Sequence, residues 1–427
     1  MGDRRQRTGE HLPGEHDPSL LRPGDPAFWR SPVRGVRFTA ALGVVLLAGI
    51  TLLFVTGLLS YAAYNPDLAA VNDKTPDKGW LGFYLFDWPT GPHWLYRLTQ
   101  GTHVTLGIVL FPVLLAKLWS VIPKLFALPP ARSAGHALER LSLLLLVGGA
   151  LFEWVTGLLN IQLEYLFPGS FYPLHFYGAW VFFAAFLAHV CLKLPRTLRV
   201  LRHGIPSEGS DELAAPRPAA PTVSRRGALA VVGAGSLLLL VTSAGRSFDG
   251  VLRRTALLTP RGGAEPGPGP NGFQINRTAA KAGIVPADAG DRWRLTVIGP
   301  AGEVRLSRAD LLALEQRSAA LPIACVEGWS TSDQWWRGVR LRDLAALAGF
   351  RDGPPPGVLV ESLQRSGPFR TVALRGNQVH DPRSLLALGV NGEALSPDHG
   401  YPARVIVPAA PGVMNTKWVS RLTFGEL

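Results

Sequence analysis

Three histidines and one cysteine stand where the sequence could do chemistry. His103, His175 and His189 fall inside long apolar runs, where ionisable residues are rare and usually functional. His175 and His189 are fourteen residues apart, nearly four helical turns or about 21 Å, so a helix sets them on one face at different depths. Two imidazoles at one depth on facing helices can take both axial positions of a haem iron. His103 and His175 meet that requirement. His189 lies in the opposite half, where the second span offers Lys117 rather than a histidine, and His136 in the next loop is the candidate partner. The competing reading is of interfacial or hydrogen-bonded histidines. Cys325 lies in Ala-Cys-Val-Glu-Gly-Trp. A thiolate is a soft ligand for a transition metal, although on its own a buried cysteine is as readily a small packing residue.

The elements that must position these groups are of two kinds. Five apolar runs, 38–62, 98–121, 140–163, 174–194 and 227–245, have about the 20 residues needed to cross a bilayer. From 273 onward the chain alternates short strand-like and helical patterns. Strands are expected at Trp293–Ile298, Leu321–Cys325, Gly357–Glu361 and Ala403–Pro408, and a helix at Leu341–Ala348. The domain order read from this is a polar N-terminus at 1–36, poorly ordered, and a transmembrane domain at 37–197. A Pro/Ala-rich linker at 198–226, a fifth helix at 227–245, a Gly/Pro-rich linker at 246–272 and a soluble domain at 273–427 follow. No internal repeat is evident.

Composition agrees. Of 427 residues, 47% are hydrophobic and 17% charged, against about 25% charged in soluble proteins, which excludes a wholly soluble or disordered chain. The formal charge of +12 could suggest nucleic acid. It is instead concentrated at loop positions such as Arg34, Arg37, Lys124, Arg132, Arg140, Arg196, Arg199 and Arg202. By the positive-inside rule these loops and the N-terminus are cytoplasmic, and the fifth span carries the C-terminal domain to the other face of the membrane. No nucleic-acid partner is expected, and membrane lipid is. Two cysteines, Cys191 and Cys325, exclude a disulfide framework; Cys191 reads as packing within the fourth span.

With His103 in the second span and His175 and His189 in the fourth, residues 38–197 resemble the four-helix b-type cytochromes (cytochrome b561-like). The resemblance implies an all-α haem bundle with one haem b on His103 and His175, a second on His189, and exchange of electrons with the quinone/quinol pool. The family often has a further histidine in the first span; this chain has none at 38–62.

Residues 273–427 resemble the sulfite oxidase superfamily of molybdopterin enzymes. The resemblance is carried by Cys-Val-Glu-Gly-Trp at 325–329, Asp-His-Gly-Tyr-Pro-Ala-Arg at 398–404, Val-Ile-Val-Pro at 405–408 and Lys-Trp-Val at 417–419. It implies an α+β fold with molybdenum on Cys325. Arg404 would pair with the pterin phosphate, Lys417 lie near phosphate and pterin, and His399, Ser362 and Asn276 contact the cofactor. The cysteine motif is most similar to that of the periplasmic methionine sulfoxide reductases. The chemistry implied is two-electron oxygen-atom transfer, reducing a small-molecule or protein-bound S-oxide or N-oxide. Sulfite-type oxidation and a non-catalytic sensor with a degenerate fold are the alternatives. Sulfite oxidases place arginines just after the metal cysteine; here Glu327, Gly328 and Trp329 stand there, with Arg337 and Arg365 as the remaining candidates to reach an anion. Glu327, Trp329, Trp335 and Trp336 read as packing residues. Ser224-Arg225-Arg226 before the fifth span resembles a twin-arginine export signal, consistent with moving a folded cofactor domain, and Thr242-Ser243-Ala244 would be a processing site.

Overall fold

The structure, a computed structural model, describes residues 28, 31–68, 72, 86–126, 133–161, 171–203, 213, 219–248, 250–258, 270–351, 353, 356–367 and 369–427. The expectations for most of the N-terminal tail and for parts of both linkers (204–212, 214–218, 249 and 259–269) lie outside them.

Five helical stretches are long and apolar enough to cross a membrane: Val36–Ala62, Leu95–Leu125, Ala134–Asn160, Tyr172–His203 and Arg225–Ser247. The first is α1. The second is two helices, α2 (Leu95–Val109) and α3 (Phe111–Leu125), divided beside Pro112, whose missing N–H cannot extend the ladder of the turn before it. Then come α4 (Ala134–Asn160), α5 (Tyr172–His203) and α6 (Arg225–Ala244). Cys191 is exposed on α5, not packed inside the fourth span as its sequence suggested.

The C-terminal region is α+β, with short helices α7 (Pro286–Ala289), α8 (Arg308–Ala313), α9 (Leu341–Leu347) and α10 (Gly376–His380). One sheet has the order β2-β1-β10-β5-β6, formed by β1 (Leu295–Gly299), β2 (Gly302–Leu306), β5 (Gly357–Ser362), β6 (Thr371–Leu374) and β10 (Val419–Gly425). The other runs β3-β4-β7-β8 with β9 also on β7, from β3 (Arg317–Leu321), β4 (Gln334–Arg340), β7 (Leu385–Val390), β8 (Glu393–Ala394) and β9 (Arg404–Ile406). The strand expected to reach Cys325 stops at Leu321, because Pro322 has no N–H to give a neighbouring strand. Cys325 therefore sits in a loop. Alternation along β4 buries Trp336 completely and leaves Trp335 exposed, so Trp335 is not the packing residue its motif suggested.

The chain divides into two compact units. One is Met1–Leu46, Pro112–Leu144 and Leu187–Gly233; the other is Leu47–Phe111, Leu145–Phe186 and Ala234–Leu427. In the first, the Lys117 ammonium donates to the Thr39 carbonyl (2.7 Å) and Arg34 lies over the Trp119 ring at 4.4 Å. In the second, the segment after α1 is bonded into the sheets. Asn72 donates to the Ala373 carbonyl and accepts from its N–H, each at 2.7 Å, as an extra rung on β6. Asn65 donates to Gln378 (2.6 Å), and the Trp88 indole to the Ala409 carbonyl (2.8 Å).

The structure also reveals a repeat that the sequence had seemed to lack. Val-Thr-Gly-Leu-Leu occurs at 55–59 in α1 and again at 155–159 in α4. Phe54 precedes the first copy and stacks on Phe183 at 3.7 Å; Trp154 precedes the second and stacks on Phe111, also at 3.7 Å. Phe111 follows His103 by eight residues, as Phe183 follows His175. The helices of the second unit are thus a duplicated pair, each half lending an aromatic ring to the other.

Candidate functional sites

Each copy of the repeat cradles one histidine. His103 Nδ1 lies 3.1 Å from Thr56 Oγ1 and 3.0 Å from the Leu53 carbonyl. His175 Nδ1 lies 3.0 Å from Thr156 Oγ1 and 3.1 Å from Glu153 Oε2. Both threonines spend their one hydroxyl proton on their own helix, Thr56 on Leu52 O and Thr156 on Phe152 O, each at 2.8 Å. Their oxygens are left to accept, so both imidazoles carry the proton on Nδ1 and offer the Nε2 lone pair. The glycines make the room: a Cβ on Gly57 or Gly157 would stand 3.2 Å from Cε1 of His103 or His175. The two rings have centroids 6.2 Å apart and planes 88° apart. One metal ion bonded by two imidazole nitrogens at about 2.0 Å each would hold two ring centres at about that separation. The residues fit a bis-histidine haem iron.

His189 lies half-buried in the other unit, and its charged neighbours are Lys117, Lys193 and Glu139. Lys117 follows His103 by fourteen residues, as His189 follows His175. Where symmetry would put a second histidine, the chain has a lysine.

In the C-terminal region, Cys325 is buried in a tight turn. Its N–H donates to the Trp329 carbonyl (2.8 Å), its carbonyl accepts from Gly328 N–H (3.0 Å), and Gly328 takes φ +86°. Around it pack Phe273, Ile323, Trp329, Trp336 and Ile406. Glu327 accepts from the Trp329 indole (2.8 Å), so it braces the turn. Neighbouring Ala324 packs with Ala62, Ala63, Trp88 and Tyr96. Burial pushes the Tyr64 phenol well above its ordinary range, with Tyr96, Tyr172 and the Cys325 thiol adding to the effect. These tyrosines had no motif to mark them.

Arg404 opens β9 and is 3% exposed. One Nη donates to the His399 carbonyl at 3.3 Å, its Nε has no hydrogen-bond partner among the described residues, and it lies 5.3 Å over the Trp336 ring. No carboxylate pairs with it among the described residues, and burial pushes the guanidinium down to about 9. A buried cation without an anion is costly, and it suits a phosphate, which a guanidinium can bind through two parallel hydrogen bonds. His399 is buried, stacks on Phe273 at 3.8 Å and approaches its carbonyl at 3.2 Å. The Lys417 ammonium donates to the carbonyls of Arg277 (2.8 Å) and Asp398 (2.7 Å). Ser362 donates to the Lys417 carbonyl at 2.8 Å, bracing the lysine. Asn276, half-buried, lies between Phe273 and Arg277 in sequence, the residues that reach His399 and Lys417. Cys325 and Arg404 fit a molybdopterin as soft ligand and phosphate anchor. Arg365 is committed to Asp288 at 3.1 Å and is 70% exposed.

A buried thiol and a buried guanidinium with no carboxylate partner among the described residues are groups that a soft metal and a phosphate could take. Residues 282–426 match the family described as oxidoreductase molybdopterin binding domain. The uncharacterized oxidoreductase YuiH of Bacillus subtilis is 32% identical over 134 residues, 31% of this chain and 65% of that protein. Mitochondrial sulfite oxidase of Rattus norvegicus is 32% identical over 158 residues, 31% of this chain and 29% of that one. Among solved structures, the sulfane dehydrogenase SoxCD of Paracoccus pantotrophus is 26% identical, with 32% of this chain and 39% of that chain covered and a TM-score of 0.29. The chain spans less than two thirds of the length of these relatives. Cys325, Ser362, His399, Arg404 and Lys417 fall inside the matched segment, and Asn276 just before it.

Proposed function

We propose that this protein is a membrane-bound molybdopterin-dependent oxidoreductase with its own haem b conduit. It draws electrons from the quinol pool to reduce an S-oxide or N-oxide at an extracytoplasmic site. The observation that carries the reading is the pair of matched cradles. They hold His103 and His175 in the metal-binding tautomer, 6.2 Å apart, in the same compact unit as Cys325. Once bound, the molybdenum cofactor supplies two-electron oxygen-atom transfer and the haem supplies single electrons. The chain's own residues hold these groups: Cys325 as thiolate ligand, Arg404 on the phosphate, His399 and Lys417 around the pterin.

The route is short in sequence terms. Gln100, one turn before His103, donates to the carbonyl of Val326, the residue after Cys325, and is itself held by the Ser60 hydroxyl at 2.6 Å. The Ser247 hydroxyl donates to the Gly328 carbonyl at 3.1 Å, pinning the same turn. Quinone would meet the bundle within the bilayer. With Arg365 tied to Asp288 and Glu327 to Trp329, the turn after Cys325 favours a neutral oxide over sulfite.

The test is to measure molybdenum and haem per chain in the purified full-length protein. Candidate S- and N-oxides are then offered to the dithionite-reduced haem, and sulfite to the oxidised haem. Reoxidation by an oxide is the expected result. Reduction of the haem by sulfite would reverse the direction, and haem without molybdenum would make the protein a sensor.

A further inference from the structure

The two cradles differ at one position. Aligning the copies of Val-Thr-Gly-Leu-Leu puts Leu53 opposite Glu153. At His103, both groups near Nδ1 are uncharged: the Thr56 hydroxyl and the Leu53 backbone carbonyl. At His175, one is the Thr156 hydroxyl and the other the Glu153 carboxyl, 3.1 Å away. The second carboxyl oxygen of Glu153 is buried and has no hydrogen-bond partner among the described residues. It fills the space left by Gly178, where a Cβ would collide with it. An acid placed in the apolar stretch of a membrane helix costs several kcal/mol, so its presence opposite a leucine calls for a role.

We propose that Glu153 is a positioning residue for His175 that accepts its Nδ1–H and lowers the midpoint potential of the haem. The proposal rests on the haem reading above. A carboxylate accepting from the distal nitrogen of a ligating imidazole raises that ligand's basicity. A more basic ligand stabilises ferric iron more than ferrous iron. The haem then has one ordinary imidazole, His103, and one strengthened imidazole, His175.

Redox titration of the purified full-length protein tests this. The wild type must first show a bis-histidine haem that His103→Ala and His175→Ala each remove; if it does not, the proposal falls together with the haem reading. Given that haem, Glu153→Gln should keep haem content and raise the midpoint by at least a tenfold change in the reduced-to-oxidised ratio, about 59 mV for one electron. Leu53→Gln, at the equivalent place in the other half, should shift the ratio less than threefold. An unchanged midpoint in Glu153→Gln with haem intact overturns the proposal and leaves the haem reading standing. Should Glu153→Gln lose haem, Glu153→Asp reads the same quantity, because it keeps a carboxyl group but draws it back from Nδ1. Its midpoint must lie above the wild type, and one at or below wild type is equally fatal.

Discussion

The two halves of the duplicated helix pair answer the same problem with nearly the same parts. Thr56 and Thr156 set the tautomer, Gly57 and Gly157 clear the ring, and Phe54 and Trp154 each stack across onto the opposite half. What is repeated is what the proposed haem ligation would need of each histidine: a fixed Nδ1–H and space for an imidazole. What differs is Leu53 against Glu153, the position that the proposal above links to the basicity of His175. Holding a ligand and tuning it are therefore separable here. The position fourteen residues inward makes the same point from the other side. His189 has Lys117 for its counterpart, and the Lys117 ammonium is engaged with Thr39 rather than left for a metal.

The largest effect should come from the ligands themselves. His103→Ala and His175→Ala are each expected to abolish the haem absorbance, because a low-spin bis-histidine iron needs both. His189→Ala should leave it unchanged. A bundle that keeps its spectrum without His103 would break the symmetry argument, and loss of half the haem in His189→Ala would restore a second site.

The sequence made the ligands legible and hid their support. A histidine in an apolar run stands out by type, and Cys325 and Arg404 stand out by motif. Thr56, Gly57, Thr156 and Gly157 are ordinary residues of membrane helices, and only their recurrence at a fixed offset marks them. A search for five-residue identities would have found the repeat; periodicity of hydrophobicity could not, since the repeated stretch is mostly apolar in both helices. Glu153 is an acid whose meaning depends on a ring from another helix. Tyr64 and Tyr96 reach the Cys325 turn through tertiary packing that no local pattern encodes. The loop position of Cys325 was legible in principle, since Pro322 forbids the strand that the apolar run suggested.

Next in size is the separate anchor of the C-terminal region. Arg404→Met should lower molybdenum content sharply while leaving the haem spectrum intact, since losing one partner of a buried ion pair costs about 3–5 kcal/mol. In cofactor-free protein the sign reverses, because the variant removes a buried cation that has no carboxylate. There burial holds the folded-state guanidinium down at about 9, well below its ordinary value, so above that pH the unfolded chain binds more protons than the folded one. Stability of the cofactor-free protein should rise with pH from about 9 upward, and Arg404→Met should abolish the rise. Thermal melts at stepped alkaline pH would show it; parallel profiles for both proteins would remove Arg404 from the phosphate site.

A smaller, symmetric effect is expected from the glycines. A Cβ 3.2 Å from Cε1 must displace the imidazole, and overpacking of this kind costs about 1–3 kcal/mol. Gly57→Ala and Gly157→Ala should therefore weaken haem retention by about 5- to 150-fold, and by similar amounts, when haem transfer to an apo-acceptor is followed. Unequal losses would mean that the halves are alike in sequence but not in mechanics.

The finest test of the comparison lies in the threonines. Thr56→Val removes one acceptor from His103 and leaves the uncharged Leu53 carbonyl; Thr156→Val leaves His175 with the Glu153 carboxyl. A neutral hydrogen bond contributes about 1 kcal/mol, and one to a charged group about 1.5–3. The half that keeps the stronger acceptor should suffer less. Haem retention should fall roughly fivefold in Thr56→Val and less in Thr156→Val, with the difference vanishing when each is combined with Glu153→Gln. If Thr156→Val is the worse of the two, the carboxyl does not share the imidazole proton, and the asymmetry between the halves lies elsewhere.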